Sequence, residues 1–460
     1  MVNFFFKTYG CQANVADSQG LAQYLISLGC SAVYTEQEAD LIIINTCAVR
    51  EKAEQKLGSY LGELAPLKLE KPYIAIGIIG CVASYKKKEL FERFDHIKFI
   101  HGAKEDIAHL RAYLHDLIVQ IQTAKQFNNP AVILEMRKQD RTWQQNVQPN
   151  TLLTMHENND EISLGSAQEV KRSFINIMTG CNKYCSYCIV PFTRGREISY
   201  PMEQILDRVR HDVALGSKEI TLVGQNVNSY IDPDTGVQFP DLLERVAQIS
   251  GDFWVRFVSP HPQDMTEKLF DVMASHRPKL TAYVHFPIQS GSNTILKAMN
   301  RNYTIEEFHT KIGWLRDRMP DAFISTDIII GFPGETDTDF GQTMDALEKI
   351  RFNLAYSFIY SRRQFTKAFN MPDNCSASVK LQRLTTLQER QIEIALERNI
   401  ENIGKNFTCL VEKRLEHGKL LARTEGSLRV HLEGSDDAIG KFVTVTILTA
   451  TPTHLCGRAA

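Results

Sequence analysis

Short apolar runs alternate with amphipathic stretches through the first hundred residues, and three of those runs end at a cysteine. The runs cover 4–8, 41–45 and 73–79, and helix-like segments follow at 17–28, 50–64 and 86–94. Few folds accommodate this rhythm. Neighbouring parallel strands need a long crossover, which a helix supplies, so the pattern predicts a small doubly wound parallel sheet.

A second set of short β runs lies at 174–178, 219–223, 254–258, 283–287, 323–330 and 356–360, again with amphipathic segments between them. Six such units predict a partial (β/α)6 barrel with an open side. A long polar helix at 379–401 leads into runs at 407–413, 420–425, 428–433 and 441–449, whose alternation predicts a small antiparallel β-barrel. Residues 111–171 break the rhythm, with a polar stretch at 142–150 and an acidic one at 157–161. They are expected to tether two domains, with one helix at the start. The expected division is 1–115, a linker over 116–166, 167–400 and 404–460, all of α/β class with the small barrel last. A chain of 460 residues is too long for one ordinary core, which agrees with several domains.

The composition is that of ordinary soluble globular proteins, with 43% hydrophobic and 23% charged residues. No apolar run approaches the ~20 residues that span a bilayer, and the first residues lack the plan of a signal peptide, so a cytoplasmic protein without a membrane partner is expected. The formal net charge of −2 excludes a globally basic protein. A nucleic acid would be held by a local patch or by stacking. In a chain without an export signal, the 10 cysteines read as metal or redox chemistry rather than a disulfide framework.

Cys181, Cys185 and Cys188 lie in one loop just after the first strand of the central domain. Three thiolates on a 4Fe-4S cube leave one iron open to a small molecule, and barrels bind ligands at the carboxyl ends of their strands. A structural zinc site would want a fourth Cys or His at matching spacing. Cys11, Cys47 and Cys81 each follow a predicted strand of the first sheet. The strands of a parallel sheet share one carboxyl edge, so these thiols should meet and form a second open-iron site. Three buried apolar cysteines are the alternative. Cys30, Cys375, Cys409 and Cys456 lack such placement and read as ordinary thiols.

Several segments carry a resemblance. They are 8–18 around Cys11, 45–50 around Cys47, Gly80-Cys81, the cysteine triplet, 190–199, 224–230, 287–293 and 327–335. Together they resemble the methylthiotransferase family of radical S-adenosylmethionine enzymes over nearly the whole chain, in the branch that acts on isopentenyladenosine in tRNA. The part after Gly404 resembles the TRAM module.

The resemblance implies two 4Fe-4S clusters and S-adenosylmethionine as cofactors. Cys181, Cys185 and Cys188 would hold the cluster that cleaves S-adenosylmethionine, and Cys11, Cys47 and Cys81 an auxiliary cluster that carries the sulfur. The implied reaction is methylthiolation of carbon 2 of N(6)-isopentenyladenosine at position 37 of tRNA, near the anticodon, using two S-adenosylmethionine molecules. That C–H is neither acidic nor activated, which is why radical chemistry suits it. The implied partners are this tRNA, an external electron donor and a sulfur source, and the chain is expected to be a monomer. Rival readings are a threonylcarbamoyladenosine substrate, or a non-catalytic iron–sulfur protein that binds RNA.

Tyr187, Gln225, Gln289, Ser290 and Asp327 sit at predicted strand ends or in the triplet and are expected to contact S-adenosylmethionine. Arg194 and Arg196 are expected to contact phosphate, and Arg423 and Arg429 to hold tRNA on the small barrel. From Gly404 onward eight Lys or Arg stand against six Asp or Glu, so charge does not announce RNA there. The chain departs from the family at Phe365, where a glycine is usual, and at Ala13, where a methionine is common.

Overall fold

The computed structural model describes residues 1–48, 51–127, 129–138, 170–415 and 418–459. The polar stretch 142–150 and the acidic stretch 157–161 lie outside the described residues. Two compact units emerge. The first holds residues up to 138 with Thr179–Asn182 and Ile189–Tyr200. The second holds the described residues 170–178, Lys183–Cys188 and the chain from Pro201 onward.

In the first unit five parallel strands form one sheet, in the spatial order Ser31–Ala32, Asn3–Tyr9, Leu41–Thr46, Ala75–Gly80 and Phe99–Gly102. This is the flavodoxin-like order 2-1-3-4-5, whose switch point falls between the strands Asn3–Tyr9 and Leu41–Thr46. Alternate residues serve opposite faces. Ile42, Ile44, Ile76 and Ile78 meet the helices Glu51–Glu70 and Ala83–Arg93. Leu41, Ile43, Phe4 and Phe99 meet the helices Gln12–Ser27 and Ile107–Phe127.

The three longer expected strands and their helices are present. The two short strands Ser31–Ala32 and Phe99–Gly102 carry too few residues to show a period. Residue 115 does not end this unit: the helix Ile107–Phe127 buries Leu114, Leu117, Ile118 and Ile121 against the sheet, and Met136 of the next helix joins the same core.

In the second unit two three-stranded parallel sheets are joined by a bridge between Val255 and Leu280. The resulting order is Arg172–Asn176, Glu219–Val223, Trp254–Phe257, Tyr283–His285, Phe323–Ile330 and Leu354–Ile359. The first and last of these strands remain unpaired with each other among the described residues, so the expected open side is there. The helix Ala377–Ile400 precedes a closed barrel of five strands. Its closing strand, Leu455–Ala459, pairs parallel to one neighbour and antiparallel to the other, which a purely antiparallel expectation misses.

The small barrel packs at the amino ends of the central strands. The Trp254 and Phe442 rings meet at 4.9 Å. Arg256 donates to the Thr424 and Glu425 carbonyl oxygens and pairs with Glu219 at 2.7 Å. Arg172 and Arg423 both reach Glu412. Burial opposes the Glu219 charge, but Arg256, Arg423 and Arg172 outweigh it and hold its pKa down at about 2. Buried charges demand such pairing.

Candidate metal centres

Cys11, Cys47 and Cys81 stand at the carboxyl ends of three adjacent strands. The Cys47 amide donates to the Tyr9 carbonyl at 2.9 Å and the Cys81 amide to the Thr46 carbonyl at 2.8 Å, continuing the ladder into the loops. Cys11 is the N-cap of the helix Gln12–Ser27, where the helix dipole favours a thiolate. A hydrogen bond from Cys47, the Arg194 charge and nearby backbone amides bring its pKa down to about 6 against the opposing effect of burial.

Beneath these loops lies a buried amide pair. Asn14 Nδ2 donates to Asn45 Oδ1, and Asn45 Nδ2 donates back to the Asn14 carbonyl and to Ser18 Oγ. Asn14 Oδ1 accepts from the Cys11 amide and thiol, each at 3.3 Å. Gly80 turns the chain into Cys81 at φ +98°, where a Cβ would fall 2.3 Å from Asn45 Oδ1. Backbone freedom and close approach both require glycine at that point.

Arg194 is placed otherwise than on a phosphate. Its side chain is 5% exposed. Nη2 pairs with Asp17 at 2.7 Å and Nε donates to Cys81 Sγ at 3.3 Å. Burial opposes its charge, while Asp17, Cys81 and Cys11 outweigh burial and keep the guanidinium protonated. A guanidinium so committed inside the unit is not offered to an RNA backbone, which corrects that expectation. Arg196, two residues on, is exposed.

The triplet loop is built differently. Gly180 precedes Cys181 at φ +78°, and a Cβ there would lie 1.9 Å from the Arg196 carbonyl oxygen. The Cys181 amide donates to the Gly195 carbonyl. Cys188 donates its amide to the Cys185 carbonyl at 2.9 Å. Arg301, 7% exposed, donates from Nη1 to Cys185 Sγ at 3.4 Å and from Nη2 to the Pro287 carbonyl. Its guanidinium also meets the Tyr303 ring and hydroxyl.

Tyr187 packs edge-on to Phe332. Gln289 is buried at φ +67° and its amide donates to the Asp327 carbonyl. Asp327 shares a hydrogen bond with His285 Nε2, and His285 Nδ1 shares one with Ser325 Oγ. Gln225 lies two residues past the strand Glu219–Val223, half-buried. Ser290 is 1% exposed and is taken up by Thr343 and the Ser292 amide, so it braces a loop. Arg423 is engaged by Glu412 and lies at the end of the central strands away from the triplet, whereas Arg429 is exposed. Phe365 does hold the left-handed conformation a glycine would favour, at φ +69°, with an exposed ring. A bulky residue there stores on the order of 1–2 kcal/mol.

Asn45, Arg301 and His285 were passed over in the sequence. The alternation that sets Tyr283 and His285 on one face, opposite the buried Val284, is a legible sign for His285. Arg301 has none, standing 113 residues beyond Cys188.

Among the described residues no three His, Cys, Asp or Glu side chains close on a single metal-ion position. A cube does not ask for that, because each thiolate binds a different iron. The donor chemistry does fit: two sets of three thiols, each with a buried arginine N–H on one sulfur, match an anionic iron–sulfur cluster.

Residues 175–347 match the radical SAM superfamily, 3–102 the uncharacterized protein family UPF0004 and 401–460 the TRAM domain. The tRNA-2-methylthio-N(6)-dimethylallyladenosine synthase of Carboxydothermus hydrogenoformans is 39% identical over 99% of this chain and 98% of its own length. That of Yersinia pseudotuberculosis is 39% identical over 98% of this chain and 91% of its own. Among solved structures, the radical S-adenosylmethionine methyltransferase TsrM from Kitasatospora setae, with cobalamin and a [4Fe-4S] cluster bound, superposes with a TM-score of 0.55 at 15% identity. It covers 80% of this chain and 77% of its own, and shares the fold. With relatives this similar over essentially its full length, the chain belongs to the radical S-adenosylmethionine methylthiotransferases, in the tRNA-2-methylthio-N(6)-dimethylallyladenosine synthase family.

Proposed function

We propose that this enzyme methylthiolates carbon 2 of N(6)-isopentenyladenosine at position 37 of tRNA, drawing on two S-adenosylmethionine molecules. The observation that carries the reading is the presence of two separate sets of three thiols, one at a sheet's switch-point edge and one after the first strand of an open barrel. Cys181, Cys185 and Cys188 are the ligands for one 4Fe-4S cluster, and Cys11, Cys47 and Cys81 for the other. When bound, the clusters and S-adenosylmethionine supply one-electron chemistry, a methyl group and sulfur.

The protein's own groups bind and orient. Tyr187, Gln225, Gln289 and Asp327 lie at the carboxyl-end side of the central strands, where the methionine, ribose and adenine parts of S-adenosylmethionine find polar partners. His285 steadies the Asp327 carboxylate. Exposed Arg196 and Arg429 are the remaining candidates for phosphate contact. An external electron donor and sulfur source complete the turnover of a monomeric, cytoplasmic enzyme. No described helix is long and apolar enough to cross a membrane.

The test is mass spectrometry of nucleosides after anaerobically reconstituted protein meets S-adenosylmethionine, a reductant and tRNA bearing isopentenyladenosine. A methylthio gain on that nucleoside is expected. A gain only on threonylcarbamoyladenosine would move the substrate. No cleavage of S-adenosylmethionine at all would favour a non-catalytic iron–sulfur protein.

A further inference from the structure

Both thiol sets carry one buried arginine whose N–H reaches a cysteine sulfur, yet the two arginines are partnered differently. Arg301 meets neutral oxygens, the Pro287 carbonyl and the Tyr303 hydroxyl. Arg194 is instead paired at 2.7 Å with the carboxylate of Asp17, while its Nε holds Cys81 Sγ at 3.3 Å. Asp17 lies on the helix that Cys11 caps, six residues along, so cation and carboxylate both belong to the walls of the same site.

We propose that Arg194 and Asp17 are positioning residues that together set the reduction potential of the cluster held by Cys11, Cys47 and Cys81, an inference that rests on the ligand reading above. The physical reason is charge. A reduced cluster carries one more negative charge than an oxidised one, so a nearby cation and an N–H bonded to its sulfur favour reduction, and a nearby carboxylate opposes it. Arg194 raises the potential and Asp17 trims that rise. In the titration the cluster takes one electron from the reductant and no protein bond is made or broken. The potential matters because joining a carbon radical to a sulfur lone pair brings three electrons to a two-electron bond. The electron left over needs an acceptor, a role that a cluster held by Cys11, Cys47 and Cys81 would be able to supply.

The test uses the full chain with Cys181, Cys185 and Cys188 all replaced by Ala, reconstituted anaerobically with iron and sulfide, and a redox titration followed by electron paramagnetic resonance. In that background Arg194→Gln is expected to shift the midpoint potential negative. Asp17→Asn is expected to shift it positive, and Arg194→Lys to fall between Arg194→Gln and the parent. Should Arg194→Gln fail to hold a cluster, Asp17→Asn alone decides. Shifts of the same sign, or none, overturn the inference, since a merely structural pair would not move the potential in opposite directions. A background chain that takes up no iron would overturn the ligand reading itself.

Discussion

The two thiol sets proposed as cluster ligands are assembled by opposite routes. Cys181, Cys185 and Cys188 are supplied by one loop, so eight residues of sequence hold all three. Cys11, Cys47 and Cys81 are spread over seventy residues and share a site because three neighbouring parallel strands end at one edge. A loop site needs a turn, which Gly180 provides. The sheet site needs the whole sheet, its register and the buried Asn14–Asn45 pair that fixes two loops at the switch point. Nearby charge differs as well, with a carboxylate facing Arg194 and neutral oxygens facing Arg301.

The most drastic way to separate the two sets is to remove one thiol from each. Cys185→Ala should abolish formation of 5'-deoxyadenosine, measured by chromatography of the reaction products. Cys47→Ala should leave that cleavage intact and eliminate methylthio transfer. Full transfer by the second variant would erase the distinction.

A subtler break goes through the sheet. Asn45→Ala removes donors to the Asn14 carbonyl and Ser18 and leaves the Asn14 amide only its 3.4 Å bond to the Thr46 carbonyl, which should cost about 2–4 kcal/mol in denaturant unfolding. Iron per chain should fall by about half, because only the sheet-built cluster depends on that amide pair. Loss of all iron would mean that the loop set depends on the first sheet too.

On the loop side, Arg301→Gln should cost about 1–3 kcal/mol through the Pro287 carbonyl and Tyr303 hydroxyl it leaves behind. It should lower the potential of that cluster, read by the same kind of titration in a chain whose Cys11, Cys47 and Cys81 are replaced. A potential that stays put would mean that the N–H on Cys185 has no electronic role.

The mildest test sets the cluster thiols against the rest. Burial pushes the Cys30 thiol up to about 11 and that of Cys409 up to about 12. At pH 8 each is then protonated in all but ~0.1% of molecules or fewer, and only thiolates alkylate readily. In metal-free protein at pH 8, peptide mapping should find both unmodified by iodoacetamide, with reaction appearing only as pH rises toward those values.

Legibility followed the same divide. Strand and helix rhythm marked the sheet, the open barrel and most of the small barrel because period and length are local properties. The short strands Ser31–Ala32 and Phe99–Gly102 escaped for want of a period, and Leu455–Ala459 because its parallel pairing is a choice of closure. Among site residues, Arg194 was visible as a basic residue near the triplet, but the burial that turns it toward Cys81 was not. Arg423 was likewise visible as basic, while the buried Glu219 and Glu412 that claim it came from two other strands.

The chain's order of residues thus determined by itself most of the longer elements, where the cysteines fall relative to strand ends, and the placing of three thiols within one eight-residue loop. Those depend on contacts a few residues apart. Tertiary structure alone decided which arginine neutralises which thiol, which carboxylate tempers it, and which end of the central strands the small barrel covers. Such choices rest on desolvated charges meeting across more than a hundred residues, where the cost of an unpaired buried charge selects the partner and no local pattern records it.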